Sequence, residues 1–153
     1  MTAAPAPAAP AALAGLGVEW VVEAFGAEPA RLRDPSALAG LVDDLVAALA
    51  LTPVGDARWH RFPAPGGVTG LVLLAESHLA VHTFPEHGSL CLNLFCCAPR
   101  AEWDWAGGLA RHLGAARVRV RRVDRRYADA DGEGPNLYEI RSDQVRIRSD
   151  ELP

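Results

Sequence analysis

At 153 residues, 50% of them hydrophobic, the chain is long enough for one ordinary core and too short for two. Its formal charge of −4 gathers in residues 128–153, where seven acids face three arginines, leaving residues 1–127 with 12 of each sign. That balance does not suit a nucleic-acid binder, and because all 15 basic residues are arginines, lysine Schiff-base chemistry is excluded. In chain order, the opening "MTAAPAPAAPAALAG" has no basic start and is broken by prolines, so residues 1–16 read as a disordered Ala/Pro leader rather than a signal peptide. Gly17 to Phe25 alternates as a first strand. Asp34 suits an N-cap and Pro35 the first helical position, ahead of a stripe of Leu38, Leu41, Val42, Leu45, Val46 and Leu49. Residues 53–62, 67–75, 78–84 and 89–97 read as four strands separated by Pro/Gly-rich turns.

A second helix is expected from about Glu102 to His112, stopping at Gly114. "ARVRVRRV" gives a last strand with Val118 and Val120 facing in; its arginines read as the wet face of that strand rather than a phosphate-binding stripe. The acidic stretch 128–153 reads as loosely ordered. The order β-α-β-β-β-β-α-β implies an α+β fold, a two-layer sandwich with helices on one face of a mainly antiparallel sheet. The domain is expected over residues 17–127. No apolar run approaches the roughly 18 residues a membrane span needs, and Cys91, Cys96 and Cys97 do not form a secreted disulfide pattern. A soluble, cytoplasmic protein, with no nucleic acid or membrane as partner, is the expectation.

The stretch "AESHLAVHTFPEHG", Ala75 to Gly88, concentrates three histidines and two glutamates around one serine inside a strand-like segment. A metal reading fails on geometry. His78 and His82 would converge on a helix, but on a strand four residues span roughly 13 Å, and no CxxC or HExxH pattern compensates. No metal site is expected. A Ser-His-Asp hydrolase is equally poorly supported, because there is no GxSxG elbow.

"ESHLAVHTFPEHG" followed by "NLFCC", with "HRFPAPGGVTG" and "EWVVEAFG" upstream, resembles the prokaryotic S-adenosylmethionine decarboxylase proenzymes over roughly residues 17–123. These are self-cleaving pyruvoyl enzymes of polyamine synthesis. The resemblance implies that Ser77 attacks the carbonyl of Glu76, and that the resulting ester eliminates to cut the chain between residues 76 and 77. A pyruvoyl cofactor derived from Ser77 would remain, the group on which substrate forms its Schiff base. Such a cofactor supplies an electrophilic carbonyl without pyridoxal phosphate, consistent with a chain that has no lysine.

Residue by residue, the resemblance makes His82 the processing histidine, with Thr69 standing where a serine usually assists. Cys97 becomes the proton donor to the substrate carbon, and Cys96 stands where threonine is common. Phe62 matches an aromatic that stacks on adenine, Glu86 a carboxylate for the ribose hydroxyls, and Phe84 a substrate-site position where tryptophan is usual. Asn93 stands where aspartate is common and Ala98 where glycine is. Cys91 matches no family site and reads as core.

Thr69 and Ser77 fall near opposite ends of one expected strand, roughly 26 Å apart. A twofold homodimer, dimerising two sandwiches into a larger one, would bring Thr69, Phe62, His82 and Glu86 of one chain to Ser77 and Cys97 of the other. The leading reading is therefore a self-processing decarboxylase of S-adenosylmethionine that supplies the aminopropyl donor for spermidine. The alternatives are the same chemistry on ornithine or arginine, and a non-enzymatic binding subunit, against which intact Ser77, His82 and Cys97 argue.

Overall fold

Alternation between apolar and polar side chains builds the first element, β1 (Leu16–Phe25), which buries Val18, Trp20, Val22 and Ala24 completely on one face. The computed structural model describes residues 16–127; the expected leader, apart from Leu16, and the acidic stretch 128–153 lie outside the described residues. A short α1 (Pro29–Leu32) follows, and then α2 (Pro35–Ala48). Asp34 caps α2 by accepting from the Ser36 amide at 2.9 Å, Pro35 occupies the first turn, and Leu38, Leu41, Val42 and Leu45 are buried.

Four strands come next: β2 (Arg58–Arg61), β3 (Val68–Leu74), β4 (Ser77–Phe84) and β5 (Ser89–Cys96), with a single 3-10 turn at Pro85–His87 before β5. Helix α3 (Trp105–Leu113) and strand β6 (Arg117–Arg126) complete the described chain. The sheet order is β2-β3-β4-β5-β1-β6, antiparallel throughout. Leu79, Val81, Leu90, Leu92, Leu94 and Cys96 point with the buried face of β1 into a core shared with α2 and α3. This is the α+β sandwich expected from the sequence. No helix among the described residues is long and apolar enough to cross a membrane.

Several local expectations are corrected. Strand 53–62 shortens to the four residues of β2, because Pro53 and Gly55 interrupt its first half; only an isolated bridge joins Pro53 to Leu74. Helix α3 starts at Trp105 rather than Glu102, since Asp104 caps it by accepting from the Gly107 amide at 2.9 Å. It ends as expected at Gly114, which takes the left-handed φ of 70°. Val118 packs against the core, but Val120 is 36% exposed, because β6 is an edge strand reaching beyond the helical layer. Cys91 is exposed rather than core: it alternates with buried Leu90 and Leu92 and so faces outward.

Candidate active site

Among the described residues no helix lies on the opposite sheet face, and the chemistry-bearing side chains are found there. On β4, buried Leu79, Val81 and Thr83 alternate with His78, Ala80, His82 and Phe84. The same alternation turns Thr69, Leu71 and Leu73 of β3 outward, with Leu71 49% and Leu73 58% exposed.

Strands β3 and β4 form a hairpin whose turn is Ala75 and Glu76, so Thr69 and Ser77 are not on one strand. Thr69 is the register partner of His82, and Ser77 that of Leu74, five rungs away. Five rungs are roughly 17 Å, shorter than the 26 Å expected from a single strand but still far beyond contact. The candidate residues therefore fall into two groups at opposite ends of the hairpin.

At the turn end, Ser77 pairs with Cys96 of β5, and the Cys97 amide donates to the carbonyl oxygen of Glu76 at 2.7 Å. Ser77 takes φ 152°, a region that costs a non-glycine residue about 1–3 kcal/mol. Its hydroxyl lies 3.3 Å from His78 Nδ1, and the His78 ring packs edge-on to Phe95 at 5.8 Å. The Glu76 carboxylate accepts from the Thr52 amide and the Thr52 hydroxyl, each at 3.0 Å, and Arg100 lies 3.6 Å away. Burial alone would raise the Glu76 carboxyl. The Thr52 amide, its own amide, the Thr52 hydroxyl and the Arg100 charge outweigh this and hold it below its ordinary value.

Cys96 and Cys97 differ in kind. Cys96 is fully buried, and burial pushes its thiol up to about 11, so it stays a neutral core group. Cys97 is exposed on the outer face. Tyr127, just past β6, lies beside Cys97; burial and the neighbouring Cys97 both push the Tyr127 hydroxyl above its ordinary value. Gly17 makes room for that hydroxyl, since a Cβ there would collide with it and approach the Cys96 carbonyl to 2.7 Å.

At the other end, Thr69 Oγ1 and His82 Nδ1 are 2.9 Å apart. They open onto a cavity of about 540 Å³ also lined by Phe62, Phe84, Glu86 and Pro65. Phe62 is 50% exposed and is held edge-on by His60, their ring centres 4.6 Å apart. Asn93 donates to Glu19 at 2.6 Å, a bond that aspartate at this position could not make while charged.

The structure thus brings Glu76, Ser77 and Cys97 together, and separately Phe62, Thr69, His82, Phe84 and Glu86. Sequence reasoning missed His78, Thr52, Arg100 and Tyr127. Gly17 inside a strand was a signal for the last of these, because such a glycine often marks a close approach. Thr52 and Arg100 left none, being 24 residues from Glu76 on either side.

Residues 18–126 match the protein family described as S-adenosylmethionine decarboxylase. The S-adenosylmethionine decarboxylase proenzyme 2 of Halalkalibacterium halodurans is 30% identical over 123 residues, 80% of this chain and 95% of that protein. The S-adenosylmethionine decarboxylase proenzyme of Archaeoglobus fulgidus is 35% identical over 91 residues, 60% of this chain and 80% of its own length. The crystal structure of the adenosylmethionine decarboxylase from Aquifex aeolicus superposes with a TM-score of 0.61 at 24% identity, covering 80% of this chain and 98% of that one. This last likeness is one of fold.

Proposed function

The chain belongs to the S-adenosylmethionine decarboxylase family, and on that premise we propose that it is a proenzyme that cleaves itself between Glu76 and Ser77 and then decarboxylates S-adenosylmethionine. The relatives favour this substrate over the ornithine or arginine alternative. The observation that carries the reading is the Glu76–Ser77 junction. Its carbonyl sits on the Cys97 amide at 2.7 Å while Ser77 is held at φ 152°. A carbonyl already bound to a fixed N–H is prepared for the negative charge it acquires when a hydroxyl attacks it. The strained serine gives the peptide bond a reason to rearrange.

In this reading Ser77 Oγ adds to the Glu76 carbonyl carbon, and the Glu76–Ser77 C–N bond gives way to an ester. His82, oriented by Thr69 at 2.9 Å, removes the Ser77 α-proton, the ester oxygen leaves as the main-chain carboxylate of Glu76 at a new chain end, and water then releases the serine nitrogen as ammonia. The residues at the junction suit a pyruvoyl group derived from Ser77: the serine begins β4, half-buried, with Cys97 at hand. When formed, that group supplies an electrophilic carbonyl to take up the electrons released as CO₂ leaves. Cys97 donates the proton to the substrate carbon. Phe62 stacks on the adenine, Glu86 accepts from the ribose hydroxyls, and Phe84 closes the same cavity wall.

Because His82 lies roughly 17 Å from Ser77 along the hairpin, the α-proton transfer requires a second protomer. A homodimer formed through the sheet face that no described helix covers meets that need and covers the exposed Leu71 and Leu73. Mass spectrometry of the purified protein should find fragments 1–76 and 77–153, and carboxyl-labelled S-adenosylmethionine should release CO₂. An uncut chain with unmodified Ser77 after prolonged incubation would overturn the processing claim; cut protein that releases no CO₂ would overturn the substrate.

A further inference from the structure

The turn that carries the scissile bond is gripped at three points, all from its own protomer. The Glu76 side chain is tied to Thr52 by two 3.0 Å hydrogen bonds, with Arg100 at 3.6 Å. The neighbouring Ala75 amide donates to the Thr52 carbonyl at 2.8 Å, so the backbone is fastened to the same segment. The Glu76 carbonyl is fixed by the Cys97 amide. The Ser77 hydroxyl, in turn, has a titratable neighbour in His78 Nδ1 at 3.3 Å, whereas His82 is engaged with Thr69 five rungs away.

Building on the self-processing reading, we propose that the acyl shift is completed within one protomer: His78 takes the Ser77 hydroxyl proton, while Thr52 and Arg100 act as positioning residues that hold Glu76 in place. The proton leaves Ser77 Oγ for His78 Nδ1 as the O–C bond forms. It passes to the Ser77 nitrogen as the C–N bond breaks, leaving an ester and a free amine with no other reactant. Only the later α-proton removal then waits for His82 and Thr69 of a second protomer. The clamp matters because a Glu76 free to turn would swing its carbonyl off the Cys97 amide and relax Ser77.

The test is made in a His82→Ala background, where elimination is blocked and ester persists. Hydroxylamine cuts that ester and leaves a Glu76 hydroxamate, which mass spectrometry counts over time. His78→Gln should slow ester formation at least about tenfold, within the range of a general base, and flatten the dependence of that rate on pH. The groups facing His78 are Leu73 across β3, Phe95 across β5 with Arg125 and Glu19 beyond it, and Cys97 and the Glu76–Arg100 pair at the turn. Cys97→Ala serves as the control for the thiol. Thr52→Val and Arg100→Met should slow the shift without altering the pH profile.

A second measurement guards against variants that fail to fold. In uncleavable Ser77→Ala protein, Thr52→Val should speed amide exchange at Cys97 by about tenfold, the loss of one charged hydrogen bond, and leave Leu94 unchanged. Ester formation at the parent rate with the parent pH profile in His78→Gln would overturn the base; unchanged exchange at Cys97 would overturn the clamp. If wild-type protein never cleaves and no chain yields hydroxamate, the self-processing reading falls as well.

Discussion

Thr69 and His82 face each other across β3 and β4 with Oγ1 2.9 Å from Nδ1, and the same hairpin carries Ser77 five rungs away. A histidine so placed cannot serve the serine of its own chain. Co-expression of differently tagged Ser77→Ala and His82→Ala chains should therefore restore cleavage, and only in the His82→Ala chain, which keeps its serine and borrows the other's histidine. With random pairing about half of those chains should be cut. The ratio is read on a denaturing gel by tag, and cleavage absent from both chains would refute a shared site.

Much of this arrangement was legible in the sequence because strand alternation is a strong signal. Residues 78–84 were legible as a strand, and the structure adds that Leu79, Val81 and Thr83 face the core while His78, His82 and Phe84 leave it. What alternation does not encode is pairing. The turn at Ala75–Glu76 is two residues without glycine or proline, so the sequence put Ser77 near the far end of the strand that holds Thr69, whereas it begins the returning strand. Cys91 misled for a related reason: residue type favours burial, but its register opposite His82 fixes it on the outer face. His78 was set aside as a poor metal ligand, and its contact with Ser77 depends on the turn's backbone, which composition cannot specify.

The adjacent cysteines should separate cleanly. Cys97→Ala should lower turnover by ~10²- to 10⁴-fold, the usual value of a placed proton donor, while still allowing self-cleavage, since the Cys97 contact with Glu76 is made by the backbone amide. Cys96→Ala should lower stability by about 1 kcal/mol through lost core packing, with a small effect on turnover. Tyr127→Phe, which removes the hydroxyl beside the thiol, should reduce turnover far less than Cys97→Ala and leave cleavage intact. Turnover, cleavage and thermal unfolding on the three variants provide the check; equal turnover losses at Cys96 and Cys97 would mean the donor is misassigned.

The clamp on Glu76 has a pH signature. Its carboxyl is held below the ordinary 4.5 in the folded chain, so it contributes stability that is fully present above that value and is lost as pH falls through the lower folded value. In the uncut Ser77→Ala protein, Glu76→Ala should cost about 1.5–3 kcal/mol at pH 7, as expected for hydrogen bonds to a charged group. The gap between the two proteins should narrow below pH 4.5. Denaturant unfolding from pH 7 to 3 measures it, and a gap independent of pH would show that the contacts, not the charge, hold the turn.

Substrate recognition can be read at Phe62. Being 50% exposed beside a cavity of about 540 Å³, it has little core to lose, so Phe62→Ala should leave the unfolding temperature nearly unchanged. If adenine stacks on this ring, its loss should cost ~1–3 kcal/mol, raising KM for S-adenosylmethionine about 5- to 150-fold. His60→Ala, which removes the edge-on support at 4.6 Å, should produce a smaller rise of the same kind. Ornithine and arginine carry no adenine, so any residual decarboxylation of these amines should be insensitive to Phe62 and respond instead to Glu86→Gln, which removes a carboxylate able to pair with a distal cation. A KM for S-adenosylmethionine that Phe62→Ala leaves unchanged, in a protein that remains folded, would move the adenine out of this cavity and leave Phe62 as surface packing against His60.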